Sequence, residues 1–482
     1  MRRRIPVALK EQARLLRPLC NRQNRSISIQ LLKKFSQLCM IPSAFLHFNY
    51  IGRGREKQLL LFVTGRAAAV RLLPVLFAAL ILSCCATPAR RPAPAAPRPD
   101  VFSAAPARSQ DAAGPRSGLF FYGRSCLKDE ELALYDLLDD ALRGWNTGKR
   151  LELPVPLDAQ TLKRVWNSVL YDHPVYDWAR CVYPDTDGLI TCCILEPRAG
   201  LTVEAARTRS REIERAADQL LEGIGGSDFE IAVAVHDALL QRITYEQGVQ
   251  DADAGSVYGG LVRGRGVCDA YSRSYQYLLQ RMGIACCYIT GMSGRGIAHS
   301  WNAVLLEDGW YYVDITWDDV PDEKGYLFHD YLLVHPRELA SDHFPDTEPY
   351  GKLPPAGTGQ FNYYIQNGFF VNAQAGQDPV PSIARAFSDQ LSTRELTDEK
   401  RPVFLEIRVD GDPEQYTRWR DAFNEHLFDI LREMQRLASE GGLLFEIETT
   451  GSVTYHFNDS TRVLTLFPKA SLPTQESVGK GA

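Results

Sequence analysis

The chain has 482 residues, 45% of them hydrophobic and 10% aromatic, with a formal net charge of -5. That length exceeds one ordinary domain, and that composition supplies a sizeable core. The near balance of charge removes any whole-protein case for a nucleic-acid partner, and none is expected; it says nothing of substrate.

Residues 1–62 are rich in Arg, Lys and Gln, carry no steady periodicity, and are expected to lie outside the mature protein. "RAAAVRLLPVLFAALILSCC" comes next. A basic flank (Arg66, Arg71) precedes an apolar run, Leu72–Leu82, too short for the span of about 20 residues that a bilayer asks for. Ser83 then precedes Cys84. Basic flank, short apolar run and small-residue exit define a secretory signal over 63–84. "ILSC" resembles the lipobox of bacterial lipoproteins. That resemblance implies that Cys84 is lipidated, becomes the mature N-terminus and holds the chain at the extracytoplasmic face of the cell membrane. The alternative is a short membrane anchor or a buried helix. A signal normally opens a chain, so the true start is expected near Val63 or Val70. Residues 85–118 are Pro- and Ala-rich without bulky apolar groups, as in a disordered tether.

The folded part begins near residue 119. "DEELALYDLLDDALRGW" has apolar residues at helical spacing. "DAQTLKRVWNSVLYDHP" opens on Asp158 as a cap and stops before Pro174. "LITCCILEP" is a β-rich run, and a long helix follows from about Val203 to Gly223. Another, "SDFEIAVAVHDALLQRITYE", has Ser227 and Asp228 as cap candidates. Residues 119–250 are thus expected as a helical N-terminal part of a core domain. In 251–335, "CDAYSRSYQYLLQRMG" places Tyr271, Tyr275, Leu278, Leu279 and Met282 on one helical stripe ended by Gly283. "IACCYITGM" reads as a strand, and "AHSWNAVLLEDGWYYVDITWDD" as a hairpin around Glu307-Asp308-Gly309. The fold class is α+β, a helix followed by at least three strands. Residues 336–400 become Pro- and Gly-rich and read as a connection. Residues 401–470 carry a strand, a long amphipathic helix and a hairpin, a small C-terminal α+β unit, and 471–482 a disordered tail.

Of 11 cysteines, seven belong to the folded part: Cys126, Cys181, Cys192, Cys193, Cys268, Cys286 and Cys287. Seven is odd, so at least one stays unpaired within the chain. No CxxC occurs among them, and no zinc site is expected. The doublets sit in apolar runs and read as buried thiols. Cys268 differs. It opens a helix, where unpaired N–H groups and the macrodipole favour a thiolate. Gly264 and Gly266 leave the preceding backbone free to approach a substrate, and Arg263 and Arg265 add positive potential. A nucleophile needs a base and an orienter. By the period of two, His299, Trp301, Ala303 and Leu305 share a face, as do Trp310, Tyr312, Asp314 and Thr316 on the paired strand. A histidine and an aspartate are therefore lateral neighbours on one sheet face, against which the helix N-terminus is expected to pack.

"GRGVCDAYSRSYQYLLQRMGI", "AHSWNAVLL" and "GWYYVDITWDD" resemble the three motifs of the transglutaminase-like superfamily, bacterial branch included. The resemblance is strong over about 255–335. It implies a papain-like core in which Cys268 is the nucleophile, His299 the base and Asp314 its orienter, with no cofactor and no metal. The implied chemistry is acyl transfer through a thioester on a peptide or protein amide, cell-wall peptide among the candidates. Water as acceptor makes a thiol peptidase or amidase; a lysine amine makes a transglutaminase; lost turnover leaves a membrane-held binding module. The backbone N–H of Cys268 is one oxyanion donor and Tyr258, in "SVYGGLV", a side-chain candidate whose alternative is core packing. Trp301 and Trp317 either shield the thioester or pack. His173 and His236 are read as structural or surface groups, and the acidic loop Asp318–Glu323 as a solvated loop rather than a Ca²⁺ site.

Overall fold

The computed structural model describes residues 119–184, 188–246, 251–320, 325–374, 376–393, 403–442 and 445–471, with the backbone of 46–51 and 58–63. The chain divides into two compact units, Met1–Pro97 and Arg98–Ala482. In the first, Leu46–Ile51 pairs antiparallel with Gln58–Val63. The signal segment beyond Val63, Cys84 within it, the tether 85–118 and the tail beyond Ser471 lie outside the described residues.

The second unit holds three layers. The first joins α1 (Asp129–Arg143) and α2 (Ala159–Asp172) to a three-stranded antiparallel sheet. That sheet has the order β1 (Arg150–Leu157), β3 (Ile190–Pro197), β2 (Ala179–Val182). Asp158 caps α2, accepting from Thr161 N at 2.9 Å. The part expected to be helical thus carries a sheet of its own. β1 escapes the period-of-two signal because only Leu153 and Leu157 along it are buried.

The second layer is the core. α3 (Val203–Leu221) and α4 (Asp228–Arg242) precede a short parallel pair, β4 (Thr244–Tyr245) with β5 (Arg265–Gly266). Ser227 caps α4, and Glu230 closes the capping box. Then come α5 (Cys268–Arg281), β6 (Cys286–Ser293), β7 (Ala298–Leu306) and β8 (Gly309–Val313), with a four-residue helix α6 (Ile315–Asp318). A fourth strand, β9 (His343–Pro345), adds to β6, so the antiparallel sheet runs β8-β7-β6-β9. The stripe Tyr271, Tyr275, Leu278 and Leu279 packs on Cys286, Val304, Leu306, Tyr311 and Val313. Each such side chain contributes about 1.5–3 kcal/mol on burial. Trp301, Ala303, Trp310 and Tyr312 fill the opposite face. The body of α5 therefore lies on the face away from His299, and only its N-terminus is left to reach that residue.

The third layer is a four-stranded sheet, β10 (Phe370–Asn372), β11 (Leu405–Asp410), β13 (Val463–Phe467) and β12 (Thr454–Asn458). β10 runs parallel to β11, and the rest is antiparallel. α7 (Pro379–Ser392), α8 (Pro413–Glu425) and α9 (Leu427–Glu440) cover it through Ile383, Phe387, Trp419, Phe423, Leu431 and Met434. The segment 336–400 is thus more than a connection. It supplies β9 to the core, and β10 and α7 to the C-terminal layer. The long amphipathic run is two helices, because His426 leaves the helical region at φ -117° and ψ 25°.

Candidate active site

Two glycines set the start of α5. Gly264 has φ +68°, and a Cβ on Gly266 would meet the Ala254 carbonyl oxygen and Ala270 Cβ, each at 2.5 Å. Gly266 serves close packing, not substrate approach. The helix opens after Val267, which offers no side-chain cap, so Cys268 sits at a first turn whose N–H groups no side-chain oxygen covers. Asp269 ties this end to the sheet: Tyr288 Oη and Ser300 Oγ donate to its Oδ1 at 2.6 and 2.7 Å. Arg263 pairs with Asp251 and Asp253, and Arg265 with Glu246 at 3.2 Å, so their expected positive potential is neutralised by partners.

His299 lies at the open end of β7, opposite Gly291 of β6. β8 ends at Val313, and Asp314 caps α6. The face predicted for Trp310, Tyr312 and Asp314 holds through that point, while Thr316 turns away with the helix. His299 Nε2 donates to Asp314 Oδ2 at 2.6 Å. Cys268 is near enough to the same imidazole to raise its pKa. The structure thus brings Cys268, His299 and Asp314 together. The His299 and Asp314 side chains are 8% and 1% exposed, whereas Cys268 is half-buried and reachable.

Electrostatics follow from this enclosure. Burial lowers the His299 pKa, but the Asp314 charge and hydrogen bond, with Cys268, raise it to about 10. Burial pushes the Asp314 carboxyl up, and the two histidines it contacts hold it well below the usual carboxylate range. In such an arrangement the neutral imidazole takes the proton of a nucleophile, and the imidazolium it becomes, stabilised by the carboxylate, returns that proton to a leaving amine.

The second of those histidines, His343, has no place in the sequence reading. It lies 29 residues beyond Asp314 on a three-residue strand. Tyr245 on β4 was also missed; its phenol is raised by burial and then by the Cys268, Asp314 and Asp269 charges, which places it beside the site. Tyr258 lies under the Arg209 and Arg263 guanidinium groups at 4.8 and 5.4 Å, and its phenol is raised by burial and then by the neighbouring Glu212 of α3. Trp317 stacks on His299 at 5.6 Å, and Trp301 is fully buried. His236 is buried, bonding Asp318 Oδ2 and Asp237 Oδ1 at 3.1 and 3.0 Å. His173 is held by Tyr135 Oη at 3.1 Å. Both are structural. Asp318 and Asp319 of the acidic loop are engaged by His236 and Tyr271; residues 321–324 lie outside the described set. Two clusters, His299–Asp314–His343 and His236–Asp237–His329, hold groups of metal-ligating type. In each, one carboxylate oxygen is already hydrogen-bonded by both rings.

Residues 215–315 match the transglutaminase-like superfamily, and this domain belongs to it. The kyphoscoliosis peptidase of Homo sapiens is 32% identical over 138 residues, covering 24% of this chain and 21% of that protein. Its Mus musculus counterpart is 29% identical over 168 residues, covering 30% and 25%. The chain therefore spans about a quarter or less of the length of these relatives. Among solved structures, a TGase aligns at TM-score 0.22 and 12% identity, over 35% of this chain and 50% of that one. The periplasmic domain of TgpA from Pseudomonas aeruginosa aligns at TM-score 0.18 and 22% identity, over 31% and 68%. Among the described residues no helix is long and apolar enough to cross a membrane.

Proposed function

We propose that this chain is a thiol peptidase or amidase that works through a thioester. The observation that carries the reading is the 2.6 Å His299–Asp314 bond, with Cys268 near enough to the same imidazole to raise its pKa. Cys268 Sγ attacks an amide carbonyl, and its proton passes to His299. The C–N bond breaks, His299 protonates the departing amine, and an acyl thioester remains. Water, giving a proton to His299, then adds to the thioester carbonyl. The C–S bond breaks, the carboxylic acid leaves and the thiol is restored. The first-turn N–H groups of α5 are the oxyanion donors. Relatives named as peptidases support amide cleavage. The substrate is a peptide or protein amide, with cell-wall peptide material as the candidate that suits a chain anchored outside the cell membrane through Cys84. Intact mass of the native N-terminus checks that anchor; an unmodified N-terminus rejects it.

The test is alkylation of Cys268 by iodoacetamide across pH 4–9, followed by mass spectrometry, on wild type and His299→Ala. Fast labelling at pH 6 that is lost in the variant is the expected result. Labelling that rises only toward the ordinary thiol range, near about 8.5, in both proteins would overturn the reading.

A further inference from the structure

Asp314 contacts two histidines, and the triad uses one. His343 Nε2 donates to Asp314 Oδ2 at 2.9 Å, the oxygen that His299 also contacts. His343 Nδ1 faces Asp342 Oδ1 at 2.7 Å. Both ring nitrogens therefore face carboxylates. A neutral imidazole has only one N–H to give, so this geometry calls for the imidazolium, donating from both sides. The ring is fully buried, with the Trp317 ring at 4.4 Å and the Trp301 ring edge-on at 4.9 Å. Asp342 is anchored in turn from the C-terminal layer: its Oδ2 accepts from Ser460 Oγ, in the turn between β12 and β13. Asn458 Oδ1 accepts from Ser460 N at 3.1 Å, which fixes that turn.

We propose that His343, oriented by Asp342 and through it by Ser460, is a positioning residue that keeps Asp314 ionised and aimed at His299. The proposal rests on the thioester reading above. A buried carboxylate with one donor is free to rotate and to take a proton. A second charge-assisted donor on the same oxygen opposes both. The groups facing His343 are the Asp314 and Asp342 carboxylates, the His299 ring at 5.8 Å and the Tyr331 ring at 5.9 Å, besides the two indoles. No other element thus brings a cation that could replace it among the described contacts. The C-terminal layer, on this account, completes the active site rather than waiting beside it.

The experiment is the iodoacetamide pH profile on the full chain, with wild type, His299→Ala, His343→Leu, His343→Gln and Asp342→Asn. Loss of His343 lets Asp314 take a proton at higher pH. His299 then loses its counter-charge, and the acid limb of labelling moves up. The expected move in His343→Leu is about one to two pH units, a rate about ten- to a hundredfold lower below the limb. His343→Gln keeps an N–H donor and is expected between wild type and the Leu variant. A merely structural role lowers the rate equally at all pH and leaves the limb in place; that result overturns the proposal while the thioester reading stands. Asp342→Asn is isosteric and keeps the test open if His343→Leu does not fold. A smaller upward move supports the proposal, and an unmoved limb overturns it. A wild-type profile indifferent to His299→Ala overturns both.

Discussion

Cys268 owes its setting to its neighbours more than to itself. Val267 leaves the helix start uncapped, and Gly266 lets that start press against Ala254 and Ala270. Gly266→Ala forces a contact of 2.5 Å against backbone on one side. It is expected to cost about 1–3 kcal/mol and to slow Cys268 alkylation, read by denaturant midpoint and labelling rate. Wild-type stability in this variant would show that the segment yields easily. Tyr258→Phe, by contrast, is expected to leave the alkylation profile unchanged, because its ring is held between Arg209 and Arg263 and its nearest acid is Glu212; a shifted profile would place Tyr258 in the site. Cys268, His299 and Asp314 were legible because strand alternation and one tight hairpin fix the last two as neighbours. His343 was not, because a strand of three residues has no period to read and its partner lies in another layer. Tyr245 was not, because a two-residue parallel pair leaves no pattern.

At the scale of elements, the sequence showed α5, β6, β7 and β8 through long apolar periods. It hid the ties between layers, which are polar. His329 illustrates this. Its Nδ1 meets Glu406 Oε2 of β11 at 3.0 Å and its Nε2 meets Asp237 Oδ1 of α4 at 3.1 Å. Asp237 also binds His236, which reaches Asp318 of α6. Such a chain joins α4, α6 and β11, and nothing in local spacing predicts it. Arg408 adds a two-pronged pair with Glu338 at 2.7 Å on each arm. Removing one partner of a buried charged pair leaves the other unpaired, so His329→Leu is expected to cost about 3–5 kcal/mol. Glu406→Gln, which keeps an acceptor for the ring, is expected to cost less. Urea unfolding of both variants checks the order; equal and small losses would mean that the network is dispensable.

The whole molecule combines these buried groups into one dependence on pH. His329 and His299 have folded pKa values raised to about 10, against burial, by their carboxylate partners. Each contributes stability that is fully present below the unfolded value of about 6.5 and is lost as pH rises toward 10. Asp318 and Asp172 are raised, chiefly by burial, to about 6 and about 7. They favour the protonated form when folded, so their burial costs stability as pH climbs from about 4 through those values. All four therefore lower stability as pH rises, the aspartates up to about 7 and the histidines from about 6.5 toward 10. On the acid side the slope reverses. Burial holds His173 down at about 4, so the unfolded chain gains a proton there between about 6.5 and 4. Asp237 and Asp314, held below the usual range by their histidines, resist protonation only while the fold lasts. Calorimetry at constant ionic strength is thus expected to place the highest Tm in mildly acidic to neutral solution, with a steady fall toward pH 10. His329→Leu should flatten part of the alkaline slope as well as lower the maximum. A wild-type Tm level from pH 7 to 10 would mean that the two histidines are neutral in the folded chain. The paired-cation account of both the active site and the layer junction would fall with it.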